Sequence, residues 1–250
     1  MHMRKLLALA GIVIMMMAML PSCGYRGPDS DIEGDVSLSD LSTVSEVLAG
    51  HGLSNIDIFE SWLENTELEA RKTNGGFSDA DCRMTVMLLT GDDIKYDSVE
   101  KGYDGSYLMF DVDAIENNEK YEVLKEKEDL FTTLFGEMPI TDKGFDHVFP
   151  DNLKKHGIRF TGKDYSVISI VFQAYKSPEA FIGHTGILMP HGSEYLFMEK
   201  IAFREPYRIT IVKDIDELVD ILSERPDYTV EEGEPKPLVY NNDELVGPLK

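Results

Sequence analysis

Cysteine is nearly absent: the chain has two, Cys23 and Cys82. A disulfide framework of the kind that staples small exported domains is thereby excluded. No spaced His/Glu or Cys/His ligand set appears, so the sequence carries no signature of a resident metal, and no cofactor motif stands out. Positive charge is also scarce, with 24 Lys and Arg against 46 Asp and Glu and a formal net charge of −22. Such a surface repels nucleic acid and anionic lipid, and serves solubility. Long apolar runs are missing too. The longest, Leu6 to Leu20, is 15 residues, short of the roughly 20 needed to span a bilayer.

What that short run does fit is a leader. Arg4 and Lys5 precede it and "LPSCG" comes after it, the arrangement of a secretory signal peptide over residues 1–22. Leu20, Pro21 and Ser22 before Cys23 resemble the lipobox of bacterial lipoproteins. That resemblance implies an acylated Cys23 as the mature N-terminus and anchorage to the cell membrane on its extracytoplasmic side. Cys82 is then left without an intramolecular partner in an oxidising compartment. Residues 23–37, "CGYRGPDSDIEGDVS", read as a flexible tether. Asp29, Asp31, Glu33, Gly34 and Asp40 mimic calcium-loop spacing, but Gly27 and Pro28 preclude an incoming helix and the Asp40 side chain cannot reach as far as the usual bidentate glutamate.

The roughly 228 residues after the leader suffice for one sizeable core, so residues 38–250 are expected to form a single domain. Its first half reads helical. Leu41, Val44, Val47 and Leu48 recur at helical spacing before Gly50, and Ile56, Ile58, Phe59 and Leu63 form a second stripe. A further helix is expected over residues 118–135. The second half changes period: 165–173, 181–189, 194–203 and 207–213 are β-branched and aromatic runs separated by turn signals, an antiparallel meander. A closing helix is expected at 214–224. Helices followed by a meander define an α+β fold.

Within "SDADCRMTVMLL", Asp81 or Ser78 can cap a helix that begins at Cys82 and is apolar on nearly every side, so it should be buried. A helix start stabilises a thiolate, while Asp79 and Asp81 oppose it, so an imidazolium is wanted nearby. Of six histidines, only His184 lies in a predicted strand. With the hairpin turn centred on His191 and Gly192, His184 faces Glu199 across the strands. Nucleophile, base and orienter would then be Cys82, His184 and Glu199. Should Glu199 instead pair with Lys200, Arg204 or Arg208, His184 would merely pack.

"DCRMTV" at a helix start, the strand "GHTGILM" and a polar residue in the next strand resemble the papain-like NlpC cell-wall peptidases. The resemblance implies a papain-like fold, a cysteine peptidase or amidase activity with Cys82, His184 and Glu199 in the catalytic roles, and peptidoglycan stem peptides as substrate. Arg83-Met84 stand where those peptidases carry a small pair, and the third residue is a glutamate. A closer resemblance, over residues 38–245, is to bacterial lipoproteins known only as domain of unknown function 4300, through "DCRMT", "FDVDAI", "HGIRF", "FIGHTGILMP", "LFMEKIAFREPY" and "NNDEL". Two other readings stay open. One is a noncatalytic envelope module that binds a wall fragment or protein partner, with Arg83 obstructing the thiol. The other is a thiol redox sensor built on Cys82.

Overall fold

The computed structural model describes residues 35–37, 41–69, 80–201, 207–231 and 233–250. The leader, Cys23, the calcium-like acidic spacing up to Gly34, Ser78, Asp79 and Arg204 lie outside the described residues. The chain is mixed α+β, as its pattern predicts. Helices α1 (Leu41–Gly50), α2 (Ile56–Glu69) and α3 (Cys82–Thr90) come first. Helices α4 (Met109–Asn117), α5 (Glu122–Lys125), α6 (Glu128–Phe135) and α7 (Val148–His156) are next, and α8 (Ile215–Ser223) comes after the main strands.

The sheet contains β1 (Asp35–Ser37), β5 (Ser166–Gln173), β6 (Glu179–His191), β7 (Glu194–Lys200), β8 (Tyr207–Val212), β9 (Leu238–Asn241) and β10 (Glu244–Pro248). Their order is β1-β8-β7-β6-β5-β9-β10, all antiparallel, with the short β3 (Met138–Pro139) added to β6. A separate pair joins β2 (Ile94–Lys95) to β4 (Arg159–Phe160). Residues 35–37, the last of the expected tether, run beside β8.

The single helix expected over 118–135 is divided. Asn118 accepts a bond from the Lys120 amide at 3.0 Å and caps a 3-10 turn, and the chain breaks again at Lys127, whose amide bonds Leu124 O at 2.9 Å. The charged stretch between α5 and α6 is therefore a joint rather than part of a continuous helix.

Alternation along the strands divides the interior in two. Ile187 and Met189 of β6 face a core built with α3 and the other early helices, whereas Leu188 and Phe197 face Leu218, Val219 and Leu222 of α8. α8 takes this place because its apolar stripe has one face to bury and Asp214 caps it, accepting from the Glu217 amide at 2.9 Å.

Two irregularities in β6 place His184. The register with β5 runs Ile170↔His184 and then Val171↔Ile182, so Gly183 is an extra residue that breaks the alternation. Ile182 thus faces the α3 core while His184 is turned toward β7. The second irregularity is a notch. Ala180 pairs with β5 on one side and with β3 on the other, and β7 takes over that second side only from Gly186. Among the described residues, no strand pairs with 181–185 there.

The β6–β7 hairpin turns at Gly192-Ser193, with Gly192 at φ +64° and His191 paired with Glu194. A two-residue loop of this kind needs the left-handed conformation that glycine supplies. The register is accordingly two residues away from the one expected: Glu199 lies opposite Gly186, and His184 is its diagonal neighbour. Because the offset is even, both side chains keep the same face. Gly186 clears that diagonal, since a Cβ there would meet Phe197 ring carbons at 2.5 Å and Met198 O at 2.8 Å. Gly186→Val is expected to cost about 1–3 kcal/mol in urea unfolding and to disturb the His184–Glu199 contact.

Candidate active site

α3 is buried as its composition requires: Cys82 and every residue from Met84 to Thr90 are inaccessible. Asp81 is its cap, with Oδ1 accepting from the Met84 amide at 2.8 Å. Arg83, the bulky residue after the cysteine, is folded into the protein. Its Nε and Nη2 donate to the two Asp111 oxygens at 3.2 and 3.1 Å, and Nη2 also lies 2.7 Å from Asp81 Oδ2. Nη1 donates to Ile182 O at 3.2 Å, which occupies a carbonyl of the notch in β6. One guanidinium thus ties α3 to α4 and to the strand that carries His184.

Two buried carboxylates share that cation. Burial, reinforced by the nearby Asp81 charge, pushes the Asp111 carboxyl well up despite Arg83. Asp81 and Arg83 pair at the α3 start, with Asp111 beside them displaced toward its neutral form.

His184 is fully buried, and its Nε2 meets Glu199 Oε2 at 2.6 Å. Its Nδ1 finds no hydrogen-bond partner among the described residues, while the nearby Cys82 favours the charged ring. With Nε2 committed to Glu199, Nδ1 is the nitrogen left for the thiol. Burial penalises the charged imidazole, but Cys82 and Glu199 outweigh that penalty and raise it to about 9. The three residues singled out from the sequence are therefore in one place.

Glu199 has a second partner, which pattern and spacing do not reveal. Arg225, just past the end of α8, donates Nη1 to Glu199 Oε2 at 2.9 Å and Nη2 to Oε1, a two-pronged grip on the carboxylate. Nη1 also reaches the Tyr228 hydroxyl at 3.1 Å, and the Tyr228 ring lies 5.9 Å from the His184 ring. Burial would push Glu199 up, yet Arg225 and His184 hold it well below the ordinary glutamate range. The one sequence signal for Arg225 is an arginine directly after an amphipathic helix, in "SERPDY".

Among the described residues the other histidines lie elsewhere. His51 lies between Val47 O and Pro190 O at 2.7 and 2.8 Å, His147 precedes α7, His156 packs beside Ser98 and Glu100, and His191 ends β6. A polar surface cleft of about 560 Å³, lined in part by Tyr103, Glu137, Lys155 and Glu179, includes none of Cys82, His184 and Glu199. Among the described residues, no group of three His, Cys, Asp or Glu side chains is placed to hold a metal ion, and no helix is long and apolar enough to cross a membrane.

An α+β sheet with a buried Cys-His-Glu arrangement at a sheet notch defines the class of site. The chain belongs to the family described as Domain of unknown function (DUF4300), which it matches over residues 49–246. No curated protein and no solved structure matches it.

Arg83→Met should lower stability by about 3–5 kcal/mol in chemical denaturation, because it strands two buried carboxyls.

Proposed function

We propose that this chain is a lipid-anchored cell-envelope cysteine peptidase or amidase of papain-like design. The observation that carries the reading is His184, whose Nε2 meets Glu199 at 2.6 Å and whose proton affinity is raised by the nearby Cys82. His184 accepts the Cys82 proton, and the thiolate attacks an amide carbonyl. Backbone N–H groups at the start of α3 stabilise the oxyanion. The imidazolium then protonates the departing amine, and water, deprotonated by the same imidazole, releases the acyl group from sulfur. Glu199 keeps the ring oriented throughout. Peptidoglycan stem peptides are the substrate proposed, on the strength of the lipobox-like leader and the NlpC resemblance.

One observation favours a second reading. Cys82 is 1% exposed and His184 0%, so an amide substrate reaches the sulfur only if the site opens. A noncatalytic envelope module that keeps these residues as a packed core has no need of such opening. In that reading Arg83, held by Asp81, Asp111 and the Ile182 carbonyl, stands beside the thiol.

Alkylation of Cys82 by iodoacetamide across pH separates the two. The peptidase reading predicts a rate that persists below pH 7 in wild type and falls at least about tenfold at pH 7 in His184→Ala, equivalent to a thiol pKa displaced by one unit or more. Identical pH profiles in both proteins, with an ordinary thiol midpoint, would exclude it.

A further inference from the structure

A carboxylate that orients an imidazole brings a full negative charge into the site, and Glu199 is entirely buried. A buried cluster is disfavoured when its charges do not cancel. With Glu199 and the Cys82 thiolate both negative, the His184 imidazolium alone leaves the cluster at minus one. Arg225 supplies the missing positive charge, and it does so through two bonds to the carboxylate.

We infer that Arg225 is a positioning residue that combines with Glu199 into one neutral orienting unit, so that the proton held by His184 comes from Cys82 rather than from solvent. This rests on the peptidase reading of the Cys82–His184 pair. With Arg225 present, thiolate, imidazolium, carboxylate and guanidinium alternate in sign and cancel. Without it, imidazolium and carboxylate cancel by themselves, and the neutral state of the cluster contains Cys82 as a thiol. His184 is then already protonated and has no capacity to act as base. Replacing both Glu199 and Arg225 by neutral groups restores a balanced thiolate and imidazolium.

Other charged groups lie around the site, among them Lys200, which is fully buried next to Glu199 in β7 with its Nζ 4.9 Å over the Tyr207 ring. Asp81 and Arg83 pair at the start of α3, and Asp111 beside them is held toward its neutral form. Tyr228 contributes a hydroxyl to Arg225. Arg208 stands opposite Glu199 on β8, and Arg225 holds the Glu199 carboxylate through both guanidinium nitrogens.

The test is the pH profile of Cys82 alkylation by iodoacetamide in wild type, Arg225→Gln, Arg225→Lys, Glu199→Gln/Arg225→Gln and His184→Ala, with thermal unfolding of each. Arg225→Gln should move the onset of reactivity upward by at least one pH unit and slow the reaction at pH 7 about tenfold or more. The double variant should return toward the wild-type profile although it has lost more bonds, and Arg225→Lys should stay near wild type. A double variant as slow as Arg225→Gln, or a lysine variant that behaves like glutamine, would overturn the inference and reduce Arg225 to a packing role. Should the double variant not fold, the comparison of Arg225→Lys with Arg225→Gln decides. A His184→Ala profile identical to wild type would instead remove the peptidase reading itself, whatever the Arg225 variants do.

Discussion

Glu199 is a carboxylate with no access to water, and much of the surrounding architecture can be understood as meeting its cost. An isolated buried carboxylate would take up a proton. Here it stays ionised because two cationic groups reach it, the His184 ring from β6 and the Arg225 guanidinium from the end of α8. Each depends on a different part of the fold. The imidazole depends on the bulge at Gly183 and on the absence of a side chain at Gly186, and the guanidinium depends on α8 burying its apolar stripe under the sheet. A defect in either element is therefore expressed at the same carboxylate.

Cys82 and His184 approach each other from different elements, and the notch in β6 makes that possible. β3 and β7 occupy the same side of β6, and among the described residues no strand pairs with 181–185 between them, where Arg83 of α3 reaches the Ile182 carbonyl. A residue whose bulk suggests an obstruction next to the thiol thus joins the helix start to the strand. It also offsets the carboxylate that caps the helix, which would otherwise oppose a thiolate.

Local pattern makes much of this legible. The apolar surround of α3 announces a buried helix, the β-branched runs announce the meander, and the only histidine in an expected strand is the one beside the glutamate. The pairing itself is not legible, because the turn at Gly192-Ser193 rather than His191-Gly192 shifts the register by two residues. The contact survives because strand faces repeat every two residues. Arg225 is hidden for a different reason: it is 26 residues from Glu199 in sequence and lies in a polar loop, where a charged side chain ordinarily faces solvent. The role of Arg83 is hidden as well, since its partner Asp111 is 28 residues away on another helix. The joint within 118–135 is masked because a charged stretch between apolar turns has the same pattern in a continuous helix and in a broken one.

The central claim is that the proton on His184 is set by Cys82 within a buried array of balanced charge. Nitrogen NMR of the His184 ring at neutral pH, in wild type and in Cys82→Ala, addresses it directly. The account predicts an imidazolium, with both ring nitrogens protonated, in wild type and a neutral ring in Cys82→Ala, where Glu199 and Arg225 already cancel. The same protonation state in both proteins would contradict it.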